Sequence, residues 1–139
     1  MTGPVGTLVD SNVLLDILTS DHRWADWSVD ALATAAEHGP LVINPLVYAE
    51  VSVRFTRIED LDDALSPRDF TRAPLPWEAA FLAGKAFATY RRSGGRRTSP
   101  LPDFFIGAHA AVGGLDLLTR DVSRYATYFP SVTVVSPPT

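Results

Sequence analysis

Short β-prone runs alternate with stretches of helical spacing along this whole chain, and that alternation constrains the fold most. The first run, residues 5–9, ends in Asp10, and Val13, Leu14, Ile17 and Leu18 then recur at helical intervals behind the capping residues Asp10-Ser11-Asn12. A second helix is predicted over residues 24–37, stopped by His38-Gly39-Pro40. Leu41-Val42-Ile43 is the next strand, and Pro45 opens a helix to about Phe55. Residues 58–65 read as a short polar helix or ordered loop, and residues 67–76 as irregular with an edge strand near 70–73. The spacing predicts helices over 77–92 and 103–112, separated by a Gly/Arg/Ser/Pro loop at 93–101. Gly113-Gly114 stops the latter, before a strand at 115–119, a short helix at 122–127 and a last strand at 132–135. Such alternation points to an α/β layered domain around a mainly parallel sheet. No internal repeat or linker divides the 139 residues, so residues 1–139 read as one domain.

Composition narrows the chemistry. With 46% apolar and 20% charged residues the chain can build a core. The absence of cysteine excludes disulfide scaffolds, thiolate zinc sites and thiol nucleophiles. No apolar run is long enough for a membrane span, and Met1-Thr2-Gly3-Pro4 does not resemble a signal peptide, so a cytoplasmic protein without membrane contact is expected. A net charge of −4 argues against indiscriminate coating of nucleic acid but leaves room for a local basic patch.

In open parallel sheets ligands bind beyond the carboxyl ends of the strands. Four of the sixteen acidic residues are placed for that edge. Asp10 follows the first strand, Glu50 lies on the helix after the second, Asp103 opens a helix, and Asp121 follows the strand at 115–119. Each also has a purely structural alternative: Asp10 as a helix cap, Glu50 as an i,i+4 partner of Arg54, Asp103 as a helix-dipole charge, Asp121 as a turn former. Carboxylates gathered in one place repel unless a cation lies between them. Without thiols, and with three histidines, the fitting counter-ion is oxygen-loving Mg²⁺ or Mn²⁺, as one or two ions. An all-carboxylate metal site suits hydrolysis of a phosphodiester by an activated water. Ser11, Asn12 and Thr119 are positioned to support the ligands, with helix capping as the alternative for Ser11 and Asn12.

Arg91, Arg92, Arg96 and Arg97 form a basic cluster that could bind phosphates, or simply end a solvated helix. His22 and His38 read as helix-boundary residues, and His109, six positions after Asp103, as pointing away from it. Asp60, Asp62 and Asp63 read as a solvated face, and Trp24, Trp27, Phe81 and Phe87 as core or interface.

Four segments in order resemble the PIN domain, above all its VapC-type toxin ribonucleases. They are Val9-Asp10-Ser11-Asn12-Val13-Leu14-Leu15-Asp16, Asn44-Pro45-Leu46-Val47-Tyr48-Ala49-Glu50-Val51, Pro102-Asp103-Phe104-Phe105-Ile106-Gly107-Ala108-His109-Ala110, and Leu117-Leu118-Thr119-Arg120-Asp121 followed by Tyr128-Phe129-Pro130. The resemblance implies a three-layer α/β/α sandwich and Mg²⁺- or Mn²⁺-dependent endoribonuclease activity. It carries the acidic quartet onto Asp10, Glu50, Asp103 and Asp121, with Asn12 and Thr119 at supporting positions. It also implies a homodimer and a cognate VapB-like antitoxin that holds the nuclease inactive. Residues 58–76 match no motif of the family.

Competing enzyme readings lack their residues. A haloacid-dehalogenase-type phosphotransferase needs an Asp where this chain has Asn12, and both it and a response-regulator receiver need a lysine after a later strand; the single lysine, Lys85, lies mid-helix. No phosphate-loop, G-x-G-x-x-G or G-x-S-x-G motif is present. The remaining alternative is a PIN-like module that binds RNA or protein without cutting.

Overall fold

The computed structural model describes residues 6–94 and 101–138. At its centre is β1 (Thr7–Val9), whose three residues are all buried, as expected of a parallel strand covered on both faces. β1 pairs in parallel with β2 (Leu41–Ile43) on one side and with β4 (Asp116–Leu118) on the other. β3 (Phe70–Arg72) extends the sheet beyond β2, and β5 (Val134–Val135) beyond β4. The order β3-β2-β1-β4-β5 therefore grows one way from β1, then returns to the opposite side.

That reversal dictates the layers. Parallel crossovers are right-handed, so connections running in opposite directions lie on opposite faces of a sheet. α1 (Ser11–Leu18), α2 (Ala25–His38), α3 (Pro45–Ser52) and α4 (Ile58–Ala64) belong to the outward leg. α5 (Trp77–Arg92), α6 (Leu101–Gly113) and α7 (Ser123–Ala126) belong to the return. The packing agrees: α1 contacts α2 and α3, whereas α6 contacts α5 and α7. The result is a three-layer α/β/α domain. No helix among the described residues is long and apolar enough to cross a membrane.

Boundaries differ from the expectation where caps and turns decide them. α1 starts at Ser11 because Asp10, in extended conformation, is its N-cap and accepts from the Ser11 N–H at 2.8 Å; Asn12 is not the cap. α3 stops at Ser52, and Arg54 and Phe55 close a turn by bonding the carbonyls of Val51 and Ser52. α6 begins at Leu101, which places Asp103 in its first turn rather than at its start. Segment 58–65 resolves as a helix, and the edge strand near 70–73 is present as β3.

The aromatic residues divide. Phe104 and Phe129 are buried, and Phe87, Tyr90 and Tyr128 pack around Phe104, Phe87 and Tyr128 edge-on and Tyr90 tilted. Phe81, expected in the core or at an interface, is 69% exposed, and Trp77 one turn earlier is 88% exposed. Asp62, expected to be merely solvated, accepts from the Tyr48 hydroxyl at 2.7 Å and pairs with Arg72 at 2.8 Å. The Arg72 guanidinium, followed by the Tyr48 phenol, holds the Asp62 carboxyl below its usual range.

Candidate functional site

The chain leaves β1 toward one face and β4 toward the other, so the carboxyl ends of these neighbours open a crevice between diverging connections. Asp10 is the residue after β1, and Thr119, Arg120 and Asp121 follow β4. The cleft there has a volume of about 390 Å³ and is lined by Asp10, Ser11, Asn12, Glu50, Asp103, Arg120, Asp121 and Tyr125. All four acids singled out in the sequence meet in it, from four separate segments.

Asp10 is the most firmly held. Its Oδ1 accepts from the Ser11 N–H, and its Oδ2 accepts from the Thr119 hydroxyl and the Tyr125 hydroxyl, both at 2.9 Å. The residue is 6% exposed, so these donors replace water that a buried carboxylate cannot otherwise recruit. Capping and site membership are not alternatives here, since one oxygen caps α1 while the other is aimed by β4 and α7.

Thr119 links the remaining parts. Its hydroxyl donates to Asp10 and accepts from Asn12 Nδ2 at 3.2 Å and from the Asp121 N–H at 3.1 Å. Asn12 Oδ1 also accepts from the Arg120 N–H at 3.3 Å, tying α1 to the segment after β4. Ser11 Oγ donates to Glu50 Oε1 at 3.0 Å and orients the exposed carboxylate of α3. Asp121 Oδ1 accepts from Ser123 Oγ at 2.9 Å. The three supporting residues read from the sequence thus touch acids of the cleft, either directly or through Thr119.

Three participants were missed. Tyr125 reaches Asp10 from α7, and a tyrosine in a short helix reads as core. Arg120 lines the cleft with its Nε on Asp16 Oδ2 at 2.6 Å. Asp16 is buried and also accepts from Ser28 Oγ at 2.9 Å. Its position inside the apolar run Val13-Leu14-Leu15-Asp16-Ile17-Leu18 was the available signal, because a charge there requires a partner.

The basic cluster falls elsewhere. Arg91 and Arg92 are exposed on the last turn of α5 and do not line the cleft, with Arg91 over Phe87 and Arg92 bonded to Thr89. Arg96 and Arg97 lie outside the described residues. His109 is buried on α6, with Nδ1 3.0 Å from Asn44 Nδ2. Asn44 Oδ1 already accepts from the Val47 N–H as the cap of α3, so the amide nitrogen donates and His109 Nδ1 accepts. Burial holds the imidazole pKa below 6.5, consistent with this neutral, Nε2-protonated form.

The possible donors of the lining suit a hard cation, being oxygens of carboxylates, hydroxyls and the Asn12 amide, with no thiol or imidazole among them. Among the described residues no three acidic or histidine side chains are grouped closely enough to hold a metal ion as they stand; the four acids line an open cleft instead. Mg²⁺ accepts such an arrangement, because it keeps several waters and takes one or two carboxylates plus phosphate oxygens.

The fold has close counterparts among solved structures. VapBC2 from Rickettsia felis, bound to a DNA fragment from its promoter, superimposes with a TM-score of 0.73 at 15% identity over 95% of this chain and 98% of that one. VapBC-1 from nontypeable Haemophilus influenzae gives 0.72 at 16% identity, covering 95% and 98%. A toxin–antitoxin complex from Klebsiella pneumoniae gives 0.61 at 24% identity, again covering 95% and 98%. No curated protein sequence matches the chain. The PIN domain family profile matches residues 7–129, which span β1 through Phe129 and hold every residue of the cleft. With that match over most of its length, and a sheet and crevice to go with it, the chain belongs to the PIN domain family.

Proposed function

We propose that this protein is a divalent-metal-dependent endoribonuclease, the VapC-like toxin of a toxin–antitoxin pair. The observation that carries the reading is the convergence of Asp10, Glu50, Asp103 and Asp121 on one cleft at the reversal of the sheet. Asp10, Glu50, Asp103 and Asp121 would hold one or two ions of Mg²⁺ or Mn²⁺. A cation bound there supplies an acidified water and neutralises charge on the scissile phosphate. The protein's part is positioning. Ser11 N–H, Thr119 and Tyr125 fix the Asp10 carboxylate, Ser11 Oγ turns Glu50 inward, and Asn12 and Thr119 set the backbone that carries Asp121.

The solved relatives named above as VapBC and toxin–antitoxin complexes support a VapB-like antitoxin as the partner. Trp77 and Phe81, exposed one turn apart on α5, supply apolar surface for a homodimer or for that antitoxin. Cytoplasmic location accompanies this reading, since the RNA substrate is there.

Cleavage of labelled structured RNAs by antitoxin-free protein tests it, with Mg²⁺, Mn²⁺ and EDTA compared. Cutting should need the metal and should vanish in Asp103→Asn, whose melting temperature stays near that of wild type. Equal cutting by that variant would remove Asp103 from the chemistry. RNA affinity without cleavage, and with no dependence on divalent metal, would replace the nuclease by a non-catalytic binding module.

A further inference from the structure

A cleft lined by four carboxylates repels the polyanion it is meant to receive, and metal at the scissile phosphate leaves the flanking phosphates uncompensated. Among the described residues that line the cleft, one is cationic: Arg120. It is also unusually fixed. Its Nε is on buried Asp16 at 2.6 Å, its N–H is on Asn12, and its guanidinium carbon lies 5.3 Å from the centre of the Trp24 indole. The side chain nevertheless remains 30% exposed, against 4% for Asp16. An arginine fork carries five N–H donors, so the bond from Nε leaves the outer nitrogens able to serve a second acceptor.

Arg23 stands over the same indole at 4.9 Å, from the turn between α1 and α2. That turn is built rather than slack. Ser20 takes the left-handed conformation at φ 51°, and the Asp21 N–H bonds the Asp16 carbonyl. Asp21 Oδ1 accepts from the N–H groups of Arg23 and Trp24, both at 2.9 Å. These bonds, that from Trp24 first, hold the Asp21 carboxyl below its usual range. One indole thus meets two arginines, Arg120 of the cleft lining and the exposed Arg23.

We propose that Arg120 and Arg23, ordered on Trp24, hold backbone phosphates of the RNA strand along the α1–α2 side of the cleft. This rests on the nuclease reading and assigns the strand's path within it. The two residues are preorganised, which lowers the entropic cost of gripping a flexible single strand. What separates them from Arg91 and Arg92 at the end of α5 is the shared indole, which couples Arg23 to the Arg120 of the cleft lining.

The test is anisotropy of a labelled mixed-sequence oligoribonucleotide with the Asp103→Asn protein in Mg²⁺, over a salt series. Arg23→Gln is exposed and changes no buried pair, so it is the primary variant. Asp16→Asn/Arg120→Gln removes both partners together and leaves no carboxylate buried alone. Each should weaken binding several-fold and lower the log–log salt slope by about 0.7, the loss of one phosphate contact on a single strand. In the otherwise unaltered enzyme Arg23→Gln should raise KM with kcat nearly unchanged. If the double variant does not fold, Arg23→Gln decides alone. Wild-type cutting together with unchanged slope and KM in Arg23→Gln overturns this proposal and leaves the nuclease standing. So does a slope lost in Arg91→Gln/Arg92→Gln but kept at Arg23. A wild-type protein that neither cuts nor, as Asp103→Asn, binds the probe overturns both.

Discussion

A hydroxyl has one proton and two lone pairs, and buried Thr119 uses all three behind the cleft wall, on Asp10, Asn12 and the Asp121 N–H. Thr119→Val keeps the shape and removes every one of these bonds. It should cost about 1–3 kcal/mol in chemical denaturation, because buried polar groups lose their partners. Cleavage should fall at least tenfold, and Thr119→Ser should restore most of both; valine behaving like threonine would show that the hub does not matter. His109 makes a second prediction at this scale. Its folded pKa lies below 6.5 through burial, so between those values the unfolded chain binds a proton that the folded chain refuses. Stability is therefore fully present above pH ~6.5 and declines as pH falls toward the folded pKa. Urea midpoints across that range should show the decline in wild type and less of it in His109→Gln. Asp10, Asp103 and Asp121 were legible because each sits beside a β-prone run or a helix start, where the chemistry of open sheets looks for them. Glu50, near the end of α3, was legible as an acid on the helix that follows the second strand. Tyr125 was not, since its phenol meets Asp10 across 115 positions and nothing local marks that contact.

At the scale of elements, α6 must bring Asp103 to the cleft while lying hard against Phe129. A Cβ placed on Gly107 would meet the Phe129 ring at 2.3 and 2.4 Å, and that ring is itself buried against Phe104. Gly107→Ala should therefore overpack this contact by about 1–3 kcal/mol, and its melting temperature should drop. Gly107→Ala/Phe129→Leu should recover part of the loss; strict additivity of the two changes would mean that they do not meet. Helices were legible to within a few residues because apolar spacing repeats over several turns. Their ends were less so. Whether Asp10 or Asn12 caps α1 depends on bonds to β4 and α7, which local propensity does not contain.

For the molecule as a whole, charge decides how the site is occupied. With a net charge of −4 and four acids around one cleft, the protein carries a repulsion that the proposed divalent ion would relieve. Mn²⁺ should raise the melting temperature of wild type, by about 2.7 kcal/mol of stabilisation at one hundred times its Kd. The same titration of Asp103→Asn should give a much smaller shift. Equal shifts would place the ion elsewhere. The α/β class was legible from alternation, but the strand order was not. Strands of three residues carry too little pattern to specify neighbours, and it is the crossover geometry that sets β4 beside β1.

That neighbour relation has a consequence in time. β1 lies at the centre of the sheet, yet its partner β4 and the two hydroxyls that hold Asp10 Oδ2 are translated after all of β2, β3 and α1 to α6. Until the ribosome has delivered Thr119 and Tyr125, Asp10 Oδ2 lacks both of the hydroxyls that aim it. A ribonuclease of the kind proposed, assembled this way, would have its cleft completed only by the segments that follow α6.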